Sequence, residues 1–451
     1  MDQSQEDDPK GSHTPGGHTP GEHMLGRIVA SPPQRLVAPW YAASASMGLV
    51  ASGVVPVLLP LLVAQVSHRV DFVAYVTSAY NLGLLAAPLV GSLAERTQAY
   101  RMLFLGGLVV IGLAAAGIPT VSDLAPWLGM GIALGIGTAA VTVVGSLLIV
   151  DFVPAVEWEP RLGWLQGFSG AGQVAGLLLA AVFTSGGAAM GQTAIGQMSI
   201  GMWVAAATTL PALLIGPIGM PVGRPVVKPH ASPGLGALPH QAHRLSLAAI
   251  ARLPEMLRHP FGRFLLSWFA YNLGTAALFA YFPLLMRRSF GIDPSLTAAS
   301  YAVSAALGTA LFVLAGGWAG RYGDRFLYLL ALAVRLVGFL LLGLLMLLVV
   351  PGQAGLALLG FGLITLAWPL LSVAGTGLAA RLTPIGEGAA MGLLSATGAL
   401  ATVLGTVIAG PAVRELGYSA AIVAGLVGIV VSAAIARGGL PLPDPIEPTA
   451  E

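Results

Sequence analysis

The chain has 451 residues and a formal net charge of +2, with 56% hydrophobic and only 9% charged residues. Soluble domains carry about 25% charged residues, so this chain has too few to cover a water-facing surface, and its mean hydropathy of +0.83 points to a membrane protein. The absence of cysteine excludes disulfides, cysteine metal sites and thiol nucleophiles, and no basic stripe marks a nucleic-acid surface.

Residues 1–37 read as a disordered polar tail rich in Gly, Pro and His, with no basic front or small-residue cleavage site that would mark a removable signal. The first apolar span then serves as an uncleaved signal anchor. HTPG occurs twice, at His13 and His18, and His23 follows. Such spacing suits a metal, and it equally suits a solvated low-complexity tail, which is the preferred reading.

Runs long enough to cross about 30 Å of hydrocarbon then recur about twelve times. In the first half (38–218) they fall at 38–65, 72–94, 101–119, 124–150, 161–185 and 198–218. In the second half (261–438) they fall at 262–286, 295–319, 326–350, 354–379, 388–412 and 418–437. Residues 219–260 form a proline-rich, basic linker in which Leu247, Ile250 and Leu257 suit a short surface helix interrupted by Pro254, and 439–451 form a second tail. The expected fold is all-α, with two pseudo-symmetric six-helix bundles in a membrane.

Arginine and lysine orient the spans. With both termini and the linker cytoplasmic, the outer side holds only Arg69, Arg287, Arg288 and Arg414, and nearly all other basic residues fall inside. The expected location is the bacterial inner (plasma) membrane. Small residues four apart, such as Gly163 and Gly167 or Gly172 and Gly176, together with Gly388, Gly392, Gly398, Gly405 and Gly410, allow close helix approach. They serve static packing and rocking surfaces alike.

Two stretches read alike, GSLAERTQAYR from Gly91 and GGWAGRYGDR from Gly316, each ending the second span of its half. A Gly-rich, Arg-bearing hairpin once per half marks a duplicated membrane bundle and makes transport the first hypothesis. Gly91, Leu93, Ala94, Glu95, Arg96 and Arg101, with Gly316, Ala319, Arg321 and Gly323 in the second copy and Arg325 one residue early, resemble the loop motif of the major facilitator superfamily. The resemblance covers about residues 38 to 437. It implies twelve helices, alternating access, and a cytoplasmic latch in which Glu95 meets the start of span eleven near Glu387 and Arg101 pairs with Asp151. The alternative for these charges is a solvated topology anchor. Proton-driven drug exporters of the family carry an arginine midway along span four and a Gly-Pro pair in span five. Here Gly131 and Gln173 occupy those places, and Gly410–Pro411 lies elsewhere.

The resemblance places a substrate near the bilayer midplane between the halves. Interior polar and aromatic residues are the candidates: Asn81, Thr138, Thr142, Gln166, Gln173, Trp268, Tyr271, Asn272, Tyr301 and Trp368. Each also suits a structural hydrogen bond, because an amide or phenol in hydrocarbon needs a partner. Trp40 and Tyr41 at the start of span one read as interfacial belt residues. No Asp, Glu, Lys or His falls mid-span. Arg335 alone lies inside one, where snorkelling to the cytoplasmic surface is preferred over a functional charge.

An uncharged interior favours a neutral or hydrophobic small molecule, with efflux ahead of uptake of a neutral nutrient. Any proton coupling falls to the rim acids Asp71, Glu95, Asp151 or Glu387, although Asp71 and Arg69 equally suit a surface pair. No cofactor is expected, and the partners are the substrate and the lipid around a monomer. An intramembrane enzyme lacks its base and nucleophile, and no Walker loop is present. A transport-inactive sensor or scaffold is the remaining alternative.

Overall fold

A computed structural model describes residues 37–153, 158–185, 193–221, 258–348, 352–382 and 387–439. The histidine-bearing tail and the expected linker helix at Leu247–Leu257 lie outside them. Among the described residues, twelve helices are long and apolar enough to cross a membrane. Helices are the form such a chain must take, because hydrocarbon offers no partners for backbone N–H and C=O groups.

In the first half, α1 runs Tyr41–Ser67. Its middle, Gly48–Val54, is a π-helix. Pro56 explains it: without an N–H, it cannot bond the Ser52 carbonyl, and the Val55 N–H reaches back to Val50 O instead. Helix α2 is Val70–Leu84 and resumes as Ala87–Thr97, with Pro88 in the first turn of the second piece. Helices α3 (Tyr100–Gly117), α4 (Leu124–Val150) and α5 (Trp158–Ser185) follow, and α6 is Ala194–Ala207 continued by Thr209–Ile215. The second half comprises α7 (Pro260–Phe290), α8 (Pro294–Tyr322), α9 (Asp324–Leu347), α10 (Gln353–Leu382), α11 (Glu387–Leu416) and α12 (Ser419–Gly439). Glycines with positive φ stand at the turns: Gly291 after α7, Gly323 between α8 and α9, and Gly417 after α11.

Each half is its own bundle. α1 packs on α5, and α4 on α2 and α3; α7 packs on α11 and α12, and α10 on α8 and α9. The halves meet along two pseudo-equivalent pairs, α5 with α8 and α2 with α11. Leu113, Leu347 and Val427 are exposed on the outside, as a surface solvated by lipid requires.

The glycine pattern divides sharply. A Cβ on Gly172 would overlap the Ala45 carbonyl oxygen, and one on Gly176 the Leu49 carbonyl, so α1 and α5 touch backbone to backbone. Gly163 and Gly167, four residues apart on the same helix, have no atom within 4 Å of such a Cβ. Two sequence expectations are corrected here. Trp40 and Tyr41 are not belt residues: both are buried, with Trp40 edge-on to Tyr41 at 4.6 Å and to Phe104 at 5.6 Å. Arg335 does not snorkel and is only 1% exposed.

Candidate functional site

In the first half, α1, α4 and α5 enclose a cavity of about 180 Å³ lined by Ser44, Met47, Ser52, Thr138, Val141, Thr142, Leu165, Gln166 and Ser169. Three of the expected residues, Thr138, Thr142 and Gln166, therefore meet in one place. Ser52 enters from the π-helical turn of α1. The Thr138 hydroxyl donates to its own helix at Leu134 O, 2.8 Å away, and is also hydrogen-bonded to the Tyr80 hydroxyl of α2. Ser44, Ser52 and Ser169 escaped the sequence reading, because serine is too common in close-packed membrane helices to single out. Gln173, two turns beyond Gln166, is half-buried, and its backbone carbonyl oxygen lies 2.7 Å from a Cβ built on Gly53. Asn81 donates to Thr77 O at 2.9 Å on its own helix.

The second half contributes an aromatic wall. Trp368 on α10 is 43% exposed and lies 6.3 Å from Trp268 on α7. Trp268 lies 5.7 Å from Tyr271, and the Asn272 amide nitrogen donates to Trp268 O at 2.8 Å, leaving its oxygen to accept. Behind Trp268, Tyr328 shares hydroxyl hydrogen bonds with Ser267 (3.1 Å) and Ser432 (3.3 Å), which fixes its ring in the core. Gly375 and Gly398 make room for the indole: a Cβ built on either would stand 3.0 Å from the Trp268 ring. Tyr301 stands apart from this wall, edge-on to Phe282 (5.3 Å) and Phe361 (5.5 Å). None of the residues lining either wall is charged.

The two ends of the helix bundle differ. At the Asp71 end the halves are sealed. The Tyr281 hydroxyl on α7 donates to Val70 O at 3.0 Å, and Ser78 on α2 hydrogen-bonds Thr406 on α11. Gly410 brings α11 against Ala74, 3.2 Å from a built Cβ. Asp71 accepts from Arg69 at 2.6 Å and faces Arg414 of the other half at 3.8 Å. It is therefore a buried cross-half group rather than one member of an ordinary surface pair.

At the motif end the same helix pairs diverge. A Cβ built on Gly170 of α5 would still stand 3.9 Å from Thr309 of α8, but one on Gly163, Gly167, Gly316, Gly317 or Gly320 would meet nothing within 4 Å. A Cβ built on Gly91 would approach only Val143 of its own half, at 3.3 Å, and Leu89 and Arg96 are exposed. The pairing of Arg101 with Asp151 is not formed. Asp151 accepts from the Tyr100 hydroxyl at 2.8 Å, while Arg101 donates to Pro217 O at 3.1 Å. Tyr100 is one residue nearer the start of α3, and its ring reaches the α4 terminus. In the second half Asp324 and Arg381 tie α9 to α10 at 3.0 Å, and the Asp324 carboxylate sits over Gly377. Arg325 donates to Arg437 O at 2.8 Å, and Arg321 lies 5.4 Å from the Tyr322 ring. The side chains of Glu95 and Glu387 lie outside the described residues. No group of three or more His, Asp or Glu suited to a metal occurs among the described residues.

Comparison with known proteins agrees with this architecture. The sequence profile of the Major Facilitator Superfamily matches residues 40–383. No curated protein matches the chain in sequence. Among solved structures, the nucleoside transporter NupG superposes with a TM-score of 0.69 at 14% identity, over 89% of this chain and 97% of its own. A D-xylose-proton symporter gives 0.64 at 16% identity, over 89% and 96%. A bacterial homolog of the human lysosomal transporter Spinster, inward-facing and occupied, gives 0.66 at 14% identity, over 91% and 97%. At these identities the likeness is one of fold. With twelve helices in two bundles, a hairpin motif in each half and a profile match over most of its length, the chain belongs to the Major Facilitator Superfamily.

Proposed function

We propose that the chain is a secondary transporter that carries a small neutral molecule by alternating access, and that the hydroxyl-lined pocket of α1, α4 and α5 and the aromatic wall of α7 and α10 grip it together. The observation that carries this reading is the contrast between the walls, one lined with hydroxyls and an amide and the other with indoles, with no charge on either. A neutral solute with one hydrogen-bonding edge and one flat apolar face matches both. A fixed ion would find no counter-charge and would lose its hydration without replacement.

The motif end is taken as cytoplasmic on the arginine and lysine bias. On that orientation the described conformation is inward-facing, sealed outside at Asp71 and spread at the two hairpins. Export is the preferred direction, because an apolar neutral solute enters through lipid unaided and needs a carrier only for removal. The serine- and threonine-lined pocket favours a second reading, uptake of a neutral polyhydroxylated nutrient. The names of the nucleoside transporter and the xylose-proton symporter are in keeping with it.

Purified protein in liposomes, with an imposed pH gradient and labelled neutral and cationic compounds, tests the reading. Flux of a neutral compound that follows the pH gradient would establish proton coupling. Flux only down its own gradient would make the protein a uniporter, and transport confined to cations would overturn the neutral-substrate assignment. With a transported compound in hand, Trp368→Ala and Thr142→Val should each raise KM about tenfold, the loss of roughly 1.4 kcal/mol of binding. An unchanged KM in both would remove these walls from the site. Glu95→Gln should weaken the cytoplasmic latch and shift cysteine-accessibility labelling further towards the inward-open state. An unaltered labelling pattern would reduce the hairpin to a topology anchor.

A further inference from the structure

Arg335 carries the one charge buried deep within a span among the described residues, and nothing above uses it. Its Nε donates to Ile364 O of α10 at 2.8 Å. The guanidinium carbon lies 5.0 Å from the centre of the Tyr271 ring and 5.3 Å from that of Phe279, both on α7. It joins no ion pair among the described residues, and its Nη1 has no hydrogen-bond partner. An unpaired arginine at this depth is costly, and cation–π contacts return only part of that cost. A leucine or methionine would pack here at less expense, so stability alone does not explain the residue.

Its contacts point elsewhere. Ile364 lies one helical turn before Trp368, so the carbonyl that Arg335 holds is the acceptor for the Trp368 N–H in a continuous helix. Pro369 follows at once and removes an amide from the ladder, so this turn is the weak point of α10. On the α7 side, the Tyr271 ring under the guanidinium touches Trp268, which touches Trp368. Gly338, one turn along from Arg335, presses α9 onto α10: a Cβ there would stand 2.7 Å from both Gly360 O and Ile364 Cγ1. The arginine is thus held against the backs of both tryptophans' helices.

We propose that Arg335 is a positioning residue that ties α7 to α10 behind the aromatic wall and sets the Trp268–Trp368 pair. The inference rests on reading that wall as a substrate contact, and its test reads the indole geometry directly, so the two can fail separately. The full chain in detergent is probed by acrylamide quenching of tryptophan fluorescence, as wild type, Arg335→Met, Arg335→Lys and Tyr271→Leu. Each is measured with and without Trp368→Phe, so that the difference isolates Trp368. Quenching of Trp368 should roughly double in Arg335→Met as the turn loosens. Tyr271→Leu should show the same change, and Arg335→Lys, which can still cap Ile364 O, a smaller one. The melting temperature of Arg335→Met should not fall. Wild-type quenching of Trp368 in folded Arg335→Met and Tyr271→Leu overturns the proposal. So does failure of both arginine variants to fold, which would assign the residue to stability.

Discussion

Gly172→Leu should prevent the chain from accumulating as a folded, monodisperse protein, whereas Gly163→Leu on the same helix should leave folding unchanged. The two glycines look equivalent in sequence, but their surroundings are opposite. A Cβ on Gly172 overlaps the Ala45 carbonyl, and the contact is reciprocal, since one on Gly48 overlaps the Ser169 carbonyl. The obstacle is backbone in both directions, so no rotamer change relieves it. The helices must separate over several turns, from Ala45 to Gly53 on α1 and from Ser169 to Gly176 on α5. In lipid that separation is severe, because close van der Waals packing is what drives helix association there. Overpacking a core costs about 1–3 kcal/mol and occasionally more; a backbone-on-backbone clash belongs in that upper tail, to be set against a folding margin of only about 5–15 kcal/mol. Size-exclusion profiles and thermal unfolding in detergent measure the outcome. A Gly172→Leu protein that elutes and melts like wild type would mean that α1 and α5 are not in backbone contact.

Asp71→Asn should open the sealed end of the transporter several-fold more often. The Asp71 side chain is 2% exposed in the sealed conformation, while its partners Arg69 and Arg414 are 51% and 54% exposed. Removing the carboxylate's charge therefore leaves no buried charge behind, because both arginines keep water. What disappears is the attraction across the two halves, which exists only when this end is closed. The substitution thus acts on one conformation and spares the other, which is the condition for shifting a two-state population. Tyr281 to Val70 O and the Ser78–Thr406 pair remain, so the end should still close, but less firmly. The chain has no cysteine of its own, so a single reporter at buried Ala74→Cys reads opening as its rate of maleimide labelling. Arg414→Gln should produce a smaller increase of the same sign. Equal labelling rates with and without Asp71 would show that the carboxylate does not hold this end shut.

How far the site was legible depended on the kind of residue. Thr138, Thr142 and Gln166 stood out as polar groups in apolar runs, and they do share one cavity. Ser44, Ser52 and Ser169 complete it unannounced, since a serine on a small-residue face looks like packing. Trp268 and Trp368 were legible as aromatic residues inside spans, but only the packing of α7 on α10 puts them 6.3 Å apart. Trp40 and Tyr41 misled because their position at a span's start matches the aromatic belt, while Phe104 on α3 draws Trp40 inward.

From sequence alone come the membrane setting, the number of spans, the division into halves and the family. These follow from quantities local to the chain: runs of about twenty apolar residues, and a hairpin repeated in each half. Tertiary structure alone decided which glycines are in contact and which charges meet. It sealed the bundle at Asp71 rather than at the hairpins, gave Asp151 to Tyr100 instead of Arg101, and buried Arg335 instead of sending it to the surface. The physical reason is common to all of these. A helix presents residues on every side, and what each one meets depends on rotation and crossing against helices far away in the chain, which hydropathy does not encode.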